Sequence, residues 1–274
     1  MTLAADPGAR VALDPALRIP EALRRTHAGW RWDLIHNEVP EVATWRLARP
    51  DGEARYLKLA RPHGWPAVRD EAERTRWART FLNVPEVLAA GRGSDVEWML
   101  TRALPGRPAT DPTWTARPQE TVQRLARALR RFHEAPASAC PFRFTLDDAL
   151  AHARARLRSG AIVPGRDFHP EFAHLSAADA LERLWRTRPA TEAAVVCHGD
   201  FCLPNVVLTE SGDAGFVDLG ELGVADPWWD LAVATWSLDW NLGPGYETLF
   251  LDTYGAAPDP ARRTFYRLLY DVVS

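Results

Sequence analysis

Three side chains in the second half of this 274-residue sequence have the types and spacing to act together on a phosphoryl group. They lie in Val196-Cys197-His198-Gly199-Asp200-Phe201-Cys202-Leu203-Pro204-Asn205 and, after a short apolar hairpin, in Phe216-Val217-Asp218. Phosphoryl transfer needs a carboxylate that accepts or orients the proton of the attacking hydroxyl. It also needs an amide oxygen and a second carboxylate to hold the Mg²⁺ that bridges the phosphates. Asp200 fits the first role, and Asn205 and Asp218 fit the second. Asp, Asn and Gly also gather in turns for local hydrogen-bonding reasons. A turn, however, does not require a second Asp thirteen positions after the Asn and directly behind an apolar strand.

An Asp, an Asn five positions on and an Asp thirteen further has the spacing of the protein-kinase catalytic loop and its metal-binding Asp. The rest of such a set is present upstream. Tyr56-Leu57-Lys58-Leu59 places a Lys within an apolar strand, and Glu71 lies early in the following helical stretch. Bridged, the two would hold the α- and β-phosphates of ATP. Glu73 competes for the carboxylate role. Taken alone, a strand Lys is ordinarily a solvated residue, so it is the downstream set that singles out Lys58. A protein kinase is a poorer fit, because the chain has no His-Arg-Asp, no Asp-Phe-Gly and no Ala-Pro-Glu, and the stretch after Asp218 is too short for an activation segment. A small acceptor molecule is the simpler reading.

Two other clusters compete for attention. Cys197, His198 and Cys202 have zinc-ligand chemistry, but no clean tetrahedral set can be assembled from their spacing, and buried inert cysteines are the default. Trp229, Trp236 and Trp240 fall at i, i+7 and i+11 of one helical stretch and so share a face. Most such faces are core. Beside a catalytic loop, an aromatic face can also hold a cation or stack on a sugar ring, with Trp236 the best placed.

These residues need a sheet and a helical body to hold them. VATWRLA (42–48) and ARYLKLA (54–60), separated by Arg49-Pro50-Asp51-Gly52-Glu53, predict an antiparallel hairpin. AVRDEAERTRWARTFL then predicts a helix, and VPEVLAAG and VEWMLTRAL two more strands. After Pro105-Gly106-Arg107-Pro108 the pattern turns helical in QETVQRLARALRRFHEA, TLDDALAHARARLRSG and SAADALERLWRTRP, which puts a hinge near Arg102 to Pro108. One strand-rich island, residues 193–220, interrupts the helices and carries the Asp200 set. Three helical stretches close the chain. The expected fold class is α+β, with a small antiparallel-sheet lobe bearing one helix (1–104) and a larger, mainly helical lobe (105–274).

Composition narrows the partners. Hydrophobic residues at 46% and charged residues at 25% fit a globular chain with a packed core. A formal charge of −3 gives no global field for nucleic acid. No apolar run approaches the length that spans a bilayer. Cys140, Cys197 and Cys202 form no even disulfide framework, and the start MTLAADPGARVALDP lacks an apolar signal region, so a reducing cytoplasm is expected.

The segment HGDFCLPNVVL followed by GFVDLGELGVADPWWDLAVAT resembles the catalytic and metal loops of the aminoglycoside 3'-phosphotransferases, and APDPARRTFYRLLYD resembles their terminal helix. Weaker similarity lies in VATWRLA, RDEAERTRW, LPG and Ala139-Cys140-Pro141-Phe142, so the resemblance runs from about Ala43 to the C-terminus. It implies a two-lobed protein-kinase-like fold. Adenine would meet backbone groups of Arg102 and Leu104, Lys58 would sit on the phosphates with Glu71 as partner, and Asp200 would be the catalytic base. Asn205 and Asp218 would be the Mg²⁺ ligands, and Asp230 would anchor the catalytic loop.

The acceptor side departs from that pattern. Asp-x-Gly-Arg becomes Asp218-Leu219-Gly220-Glu221, and Ala-Thr-Arg-Asp becomes Ala234-Thr235-Trp236-Ser237. A terminal acidic pair becomes Tyr270-Asp271, and a mid-chain acidic loop keeps only Asp167 and Glu171. Expected acceptor contacts are therefore Asp167, Glu171, Glu221, Trp236 and Asp271. The implied enzyme is an ATP- and Mg²⁺-dependent kinase of an aminoglycoside or related amino sugar, of the antibiotic-resistance type, taking a cationic small molecule. It is expected to act without nucleic acid or membrane, as a monomer or weak dimer. The alternatives are a kinase of choline or another amino alcohol, and a non-catalytic nucleotide-binding module. Residues 38–42 (EVPEV) stand where a phosphate-covering loop is expected.

Overall fold

The turn signal between the first two expected strands does what its residues dictate. In the computed structural model, which describes residues 12–15, 17–36, 40–62 and 67–273, Gly52 takes φ +93° and its amide donates to the Arg49 carbonyl at 3.1 Å. The flanking strands pair antiparallel from Val42↔Ala60 to Ala48↔Ala54. The described residues form two compact units, one ending at Pro105 and the other starting at Gly106.

In the first unit, α1 (Glu21–Thr26) precedes β1 (Arg31–His36), β2 (Val42–Ala48) and β3 (Ala54–Ala60), followed by α2 (Val68–Ala78), β4 (Val87–Arg92) and β5 (Glu97–Arg102). The strands make one antiparallel sheet in the order β1-β2-β3-β5-β4. Strand alternation sorts β3. Leu57 and Leu59 face a core with Leu47 and Leu100, while Ala60 and Met99 pack with Val68 and Ala72 of α2 on the other face. Lys58 points to that second face, where α2 lies. β1 and α1 have no counterpart in the sequence reading. β1 is exposed or half-buried throughout, so it lacks the alternation that betrays a strand, and α1 buries only Leu23. Positions 38 and 39 of the expected phosphate-covering stretch lie outside the described residues.

The second unit contains β6 (Arg107–Pro108), α3 (Pro112–Thr115), α4 (Pro118–Phe132), α5 (Leu146–Ser159), α6 (Pro164–Asp167), α7 (Ala177–Thr187), β7 (Val195–Cys197), β8 (Val206–Leu208), β9 (Ala214–Phe216), β10 (Gly223–Ala225), α8 (Trp228–Leu242), α9 (Glu247–Tyr254) and α10 (Pro260–Val273). Capping boxes start α5 at Thr145 and Asp148 and α7 at Ser176 and Asp179. α4 is amphipathic, burying Val122, Leu125, Ala126, Leu129 and Phe132. α8 is buried on all sides from Trp228 to Leu238, the mark of a helix inside the core. α10 packs on α8, α5 and α7. The strand island resolves into a sheet β6-β8-β9 and a pair β7·β10, so the loops after β7 and β9 leave one compact scaffold. No helix among the described residues is long and apolar enough to cross a membrane.

Candidate active site

β7 ends at Cys197, and the loop after it is held from below by one side chain. Asp230, in the first turn of α8 and fully buried, accepts the His198 amide at 2.7 Å and the Gly199 amide at 2.9 Å. Its Oδ2 also meets His133 Nε2 at 2.9 Å, and His133 Nδ1 bonds the Tyr254 hydroxyl at 2.7 Å. Gly199 takes φ +90°, and a Cβ there would lie 2.5 Å from Glu221 Cβ and 2.7 Å from the Glu221 carbonyl oxygen. Only glycine fits that left-handed, crowded position. The Trp229 indole closes the clamp by donating to the Gly199 carbonyl at 2.7 Å.

Asp200 follows, half-buried, and its two carboxylate oxygens have different donors. Asn205 Nδ2 donates to Oδ2 at 2.9 Å and to the Asp200 carbonyl at 3.0 Å, and the Tyr270 hydroxyl donates to Oδ1 at 3.0 Å. Since the Asn205 amide nitrogen is engaged by Asp200, its oxygen is the atom turned to other partners. Asn205 sits in a single 3₁₀ turn, Leu203–Asn205, whose first amide donates to Ser237 Oγ at 2.9 Å.

Asp218, exposed, comes directly after β9 and Val217 with φ 61°, in the left-handed region that Asp tolerates better than most residues. His198 links the two loops: its Nδ1 accepts the Asp200 amide at 3.3 Å, and its Nε2 donates to the Val217 carbonyl at 3.0 Å. The Val217 amide in turn donates to the Asn205 carbonyl at 3.0 Å. Burial pushes the Cys202 thiol well up, and the negative charges of Asp200 and Asp218 push it further, so both carboxylates lie around one buried thiol. Asn205 oxygen and Asp218 carboxylate are the hard oxygen donors that suit Mg²⁺.

In the first unit, Lys58 Nζ donates to Glu71 Oε2 at 2.7 Å, with the carboxylate side chain only 4% exposed. Glu73, the competitor, is exposed on α2. Arg102 ends β5; its amide donates to the Glu86 carbonyl at 3.0 Å and its guanidinium to Glu86 Oε2 at 2.9 Å. Leu104 is half-buried just beyond the strand.

The five expected acceptor contacts separate. Glu221 is drawn in beside Gly199, and its charge acts on the Tyr270 phenol together with that of Asp200. Asp167 accepts the Val163 amide at 2.7 Å and Arg166 Nε at 2.6 Å, bonds that close α6. Glu171 lies 3.8 Å from the Arg267 guanidinium. Trp236 is 2% exposed rather than presented to solvent. Its ring stacks on Trp240 at 5.5 Å, packs on His169 at 4.2 Å and carries Arg267 over it at 5.3 Å. The cation on this aromatic face is the chain's own. Trp229 serves the catalytic loop instead, because one helical face spans several levels and the two indoles meet different neighbours.

Asp271 also turns inward, 5% exposed, and accepts the His169 amide at 2.8 Å. Burial pushes its carboxyl up to about 8, with Glu171 and Asp167 adding to the rise and the His169 hydrogen bond opposing it. Below the unfolded value of about 4 the group is protonated in both states, and its neutral form fits the fold. As pH rises towards about 8 the unfolded chain ionises and the folded one does not, so stability falls across that window. Asp271→Asn keeps an acceptor for His169 without the charge. It is expected to raise the melting temperature by roughly 3–6 °C at pH 8.5 and to leave it unchanged at pH 4, as scanning calorimetry at the two pH values would register.

Cys197 and Cys202 are buried, and burial pushes both thiols up. His133, Cys197 and Asp230 bring ligand atoms within 4.8 Å, yet both His133 nitrogens and both Asp230 oxygens are already hydrogen-bonded. Sequence reasoning missed His133, the bridging role of His198, the Ser237 contact and the reach of Tyr270. HisGlyAsp hinted at His198, but nothing local signals the others, which act across 34 to 121 residues of chain.

The sequence model of the phosphotransferase enzyme family matches residues 41–266. An aminoglycoside 3'-phosphotransferase of Streptomyces fradiae is 33% identical over 261 residues, 90% of this chain and 97% of that protein. The crystal structure of an aminoglycoside-3'-phosphotransferase of type VIII superposes with a TM-score of 0.83 at 31% identity, covering 92% of this chain and 97% of that one. Aminoglycoside phosphotransferase APH(3'')-Id from Streptomyces rimosus, solved with ADP and streptomycin, superposes with a TM-score of 0.75 at 31% identity over 92% of this chain and 96% of that chain. With the protein-kinase-like architecture and the Asp200, Asn205 and Asp218 arrangement, these similarities show that the chain belongs to the phosphotransferase enzyme family, alongside the aminoglycoside 3'-phosphotransferases.

Proposed function

We propose that this chain moves the γ-phosphate of ATP to a hydroxyl of an aminoglycoside or related amino sugar. The observation that carries the reading is the Asp200 carboxylate, fixed at 2.9 Å to Asn205 on a loop tied through His198 to the backbone before Asp218. Asp200 takes the proton of the acceptor hydroxyl as its oxygen attacks the γ-phosphorus. The new O–P bond forms as the bond to the β-phosphate oxygen breaks, and ADP leaves with that electron pair. Asn205 and Asp218 would hold Mg²⁺, which when bound neutralises charge on the β- and γ-phosphates. Lys58, kept extended by Glu71, would pair with the α- and β-phosphates, and the backbone of Arg102 and Leu104 would take adenine. We assign nucleotide binding to residues 1–104 and acceptor binding with catalysis to residues 105–274.

The acceptor side favours a cationic sugar held by few charges. Glu221 lies beside Gly199 of the catalytic loop, whereas Asp167 and Glu171 have arginine neighbours and Asp271 is buried. Arg267 over Trp236 disfavours a quaternary-ammonium acceptor such as choline, since it already fills that aromatic face. Three buried free cysteines and the use of ATP support a cytoplasmic enzyme. A coupled assay of ADP release across kanamycin, neomycin and streptomycin tests the proposal. At least one should stimulate ATP consumption well above the acceptor-free rate, and silence from all three would sink the aminoglycoside reading.

A further inference from the structure

We infer that Tyr270 is a positioning residue that locks the Asp200 carboxylate in its working orientation. The inference rests on Asp200 acting as the base in the proposed reaction. A carboxylate on a loop has two rotatable torsions, and a single donor leaves its plane free to swing. Here the two oxygens are held from different elements: Oδ2 by Asn205 of the same loop at 2.9 Å, and Oδ1 by Tyr270 of α10 at 3.0 Å. The two bonds together fix both rotation and plane.

Tyr270 is itself well anchored. It is 8% exposed, lies near the end of a helix buried from Phe265 to Val273, and meets Trp236 edge to face at 6.5 Å. Burial and the Asp200 and Glu221 charges hold its phenol well above the usual range, so it acts as a hydrogen-bond donor throughout the neutral range and does not compete for the substrate proton. Each carboxylate oxygen has two acceptor directions, so Oδ1 can receive the phenol and an acceptor hydroxyl at once. Tyr270 therefore orients the base without displacing the substrate.

Tyr270→Phe removes one oxygen and keeps the ring packing. The expected result is a kcat lowered about 5- to 50-fold, with KM for ATP and for the acceptor within twofold of wild type. ADP-binding stoichiometry, measured in parallel, corrects for any unfolded fraction. Because the hydroxyl acts through Asp200, Tyr270→Phe should change the single-turnover rate less than twofold in an Asp200→Ala background. The same pairing should appear in thermal midpoints, with a fall of about 2–4 °C in the wild-type background and under about 1 °C beside Asp200→Ala. A wild-type kcat in Tyr270→Phe, or an equal fractional loss in both backgrounds, overturns the inference. If wild type consumes no ATP with any acceptor, the proposed function fails and this role fails with it. An active wild type with an indifferent Tyr270→Phe removes this inference alone.

Discussion

Asp200→Ala is expected to lower kcat by about three to four orders of magnitude while the affinity for ATP stays within twofold. A positioned general base contributes roughly 10²- to 10⁴-fold. In the proposed reaction the same carboxylate also places the attacking oxygen, so the effect should fall at the upper end. The substitution removes no group assigned to the nucleotide. It also frees the Asn205 amide and the Tyr270 hydroxyl, which now hold the two carboxylate oxygens. Single-turnover transfer from labelled ATP, with ADP affinity from calorimetry, separates the two effects. Near-normal turnover would remove Asp200 from the chemistry, and a large loss of nucleotide affinity would point to a different role for the loop.

Asp230→Ala should be damaging for a different reason, which is structural and independent of turnover. One fully buried carboxylate satisfies two backbone amides and the His133 ring. Each buried donor left without a partner costs about 1–3 kcal/mol, so the sum is on the order of 3–5 kcal/mol or more. A domain stable by about 5–15 kcal/mol does not tolerate that easily. The expected outcome is a melting temperature lowered by about 10 °C or more, or a chain that fails to accumulate in soluble form. Asp230→Asn, whose NH₂ would face one of those donors, should recover only part of the loss. A variant that melted like wild type would show that water or rearranged backbone replaces the carboxylate.

The pairing within the 198–205 loop was readable because it depends on chemical type at fixed short spacing. Asp200 and Asn205 lie on one loop and bond each other across five positions, so sequence distance and spatial distance agree. Lys58 and Glu71 were readable for a related reason. Strand alternation puts Lys58 on the face opposite Leu57 and Leu59, and the next helix must cover that face; only the choice between Glu71 and Glu73 was left to the fold. By contrast, β1 and α1 bury too little to leave a periodic trace, and α8, buried all round, has no polar face to reveal which indole meets what.

Acceptor contacts were the least legible, since they depend on which way a carboxylate or indole turns after α8 and α10 have packed. Asp271, Trp236 and Trp229 are as polar or aromatic in the sequence as any ligand-binding residue. Packing instead buries the first against His169, covers the second with Arg267 and sets the third on the Gly199 carbonyl.

The sequence by itself determined that Asp200, Asn205 and Asp218 have the types and spacing suited to phosphoryl transfer, the hairpin that carries Lys58, and the change from sheet to helices near residue 105. Those follow from residue type and local period. Only the tertiary structure decided that Tyr270, from α10, holds Asp200, that His133 backs Asp230 beneath the loop, and that Arg267 fills the tryptophan face. Those contacts join residues far apart in the chain, and hydrogen bonding and burial select them once the helices have packed.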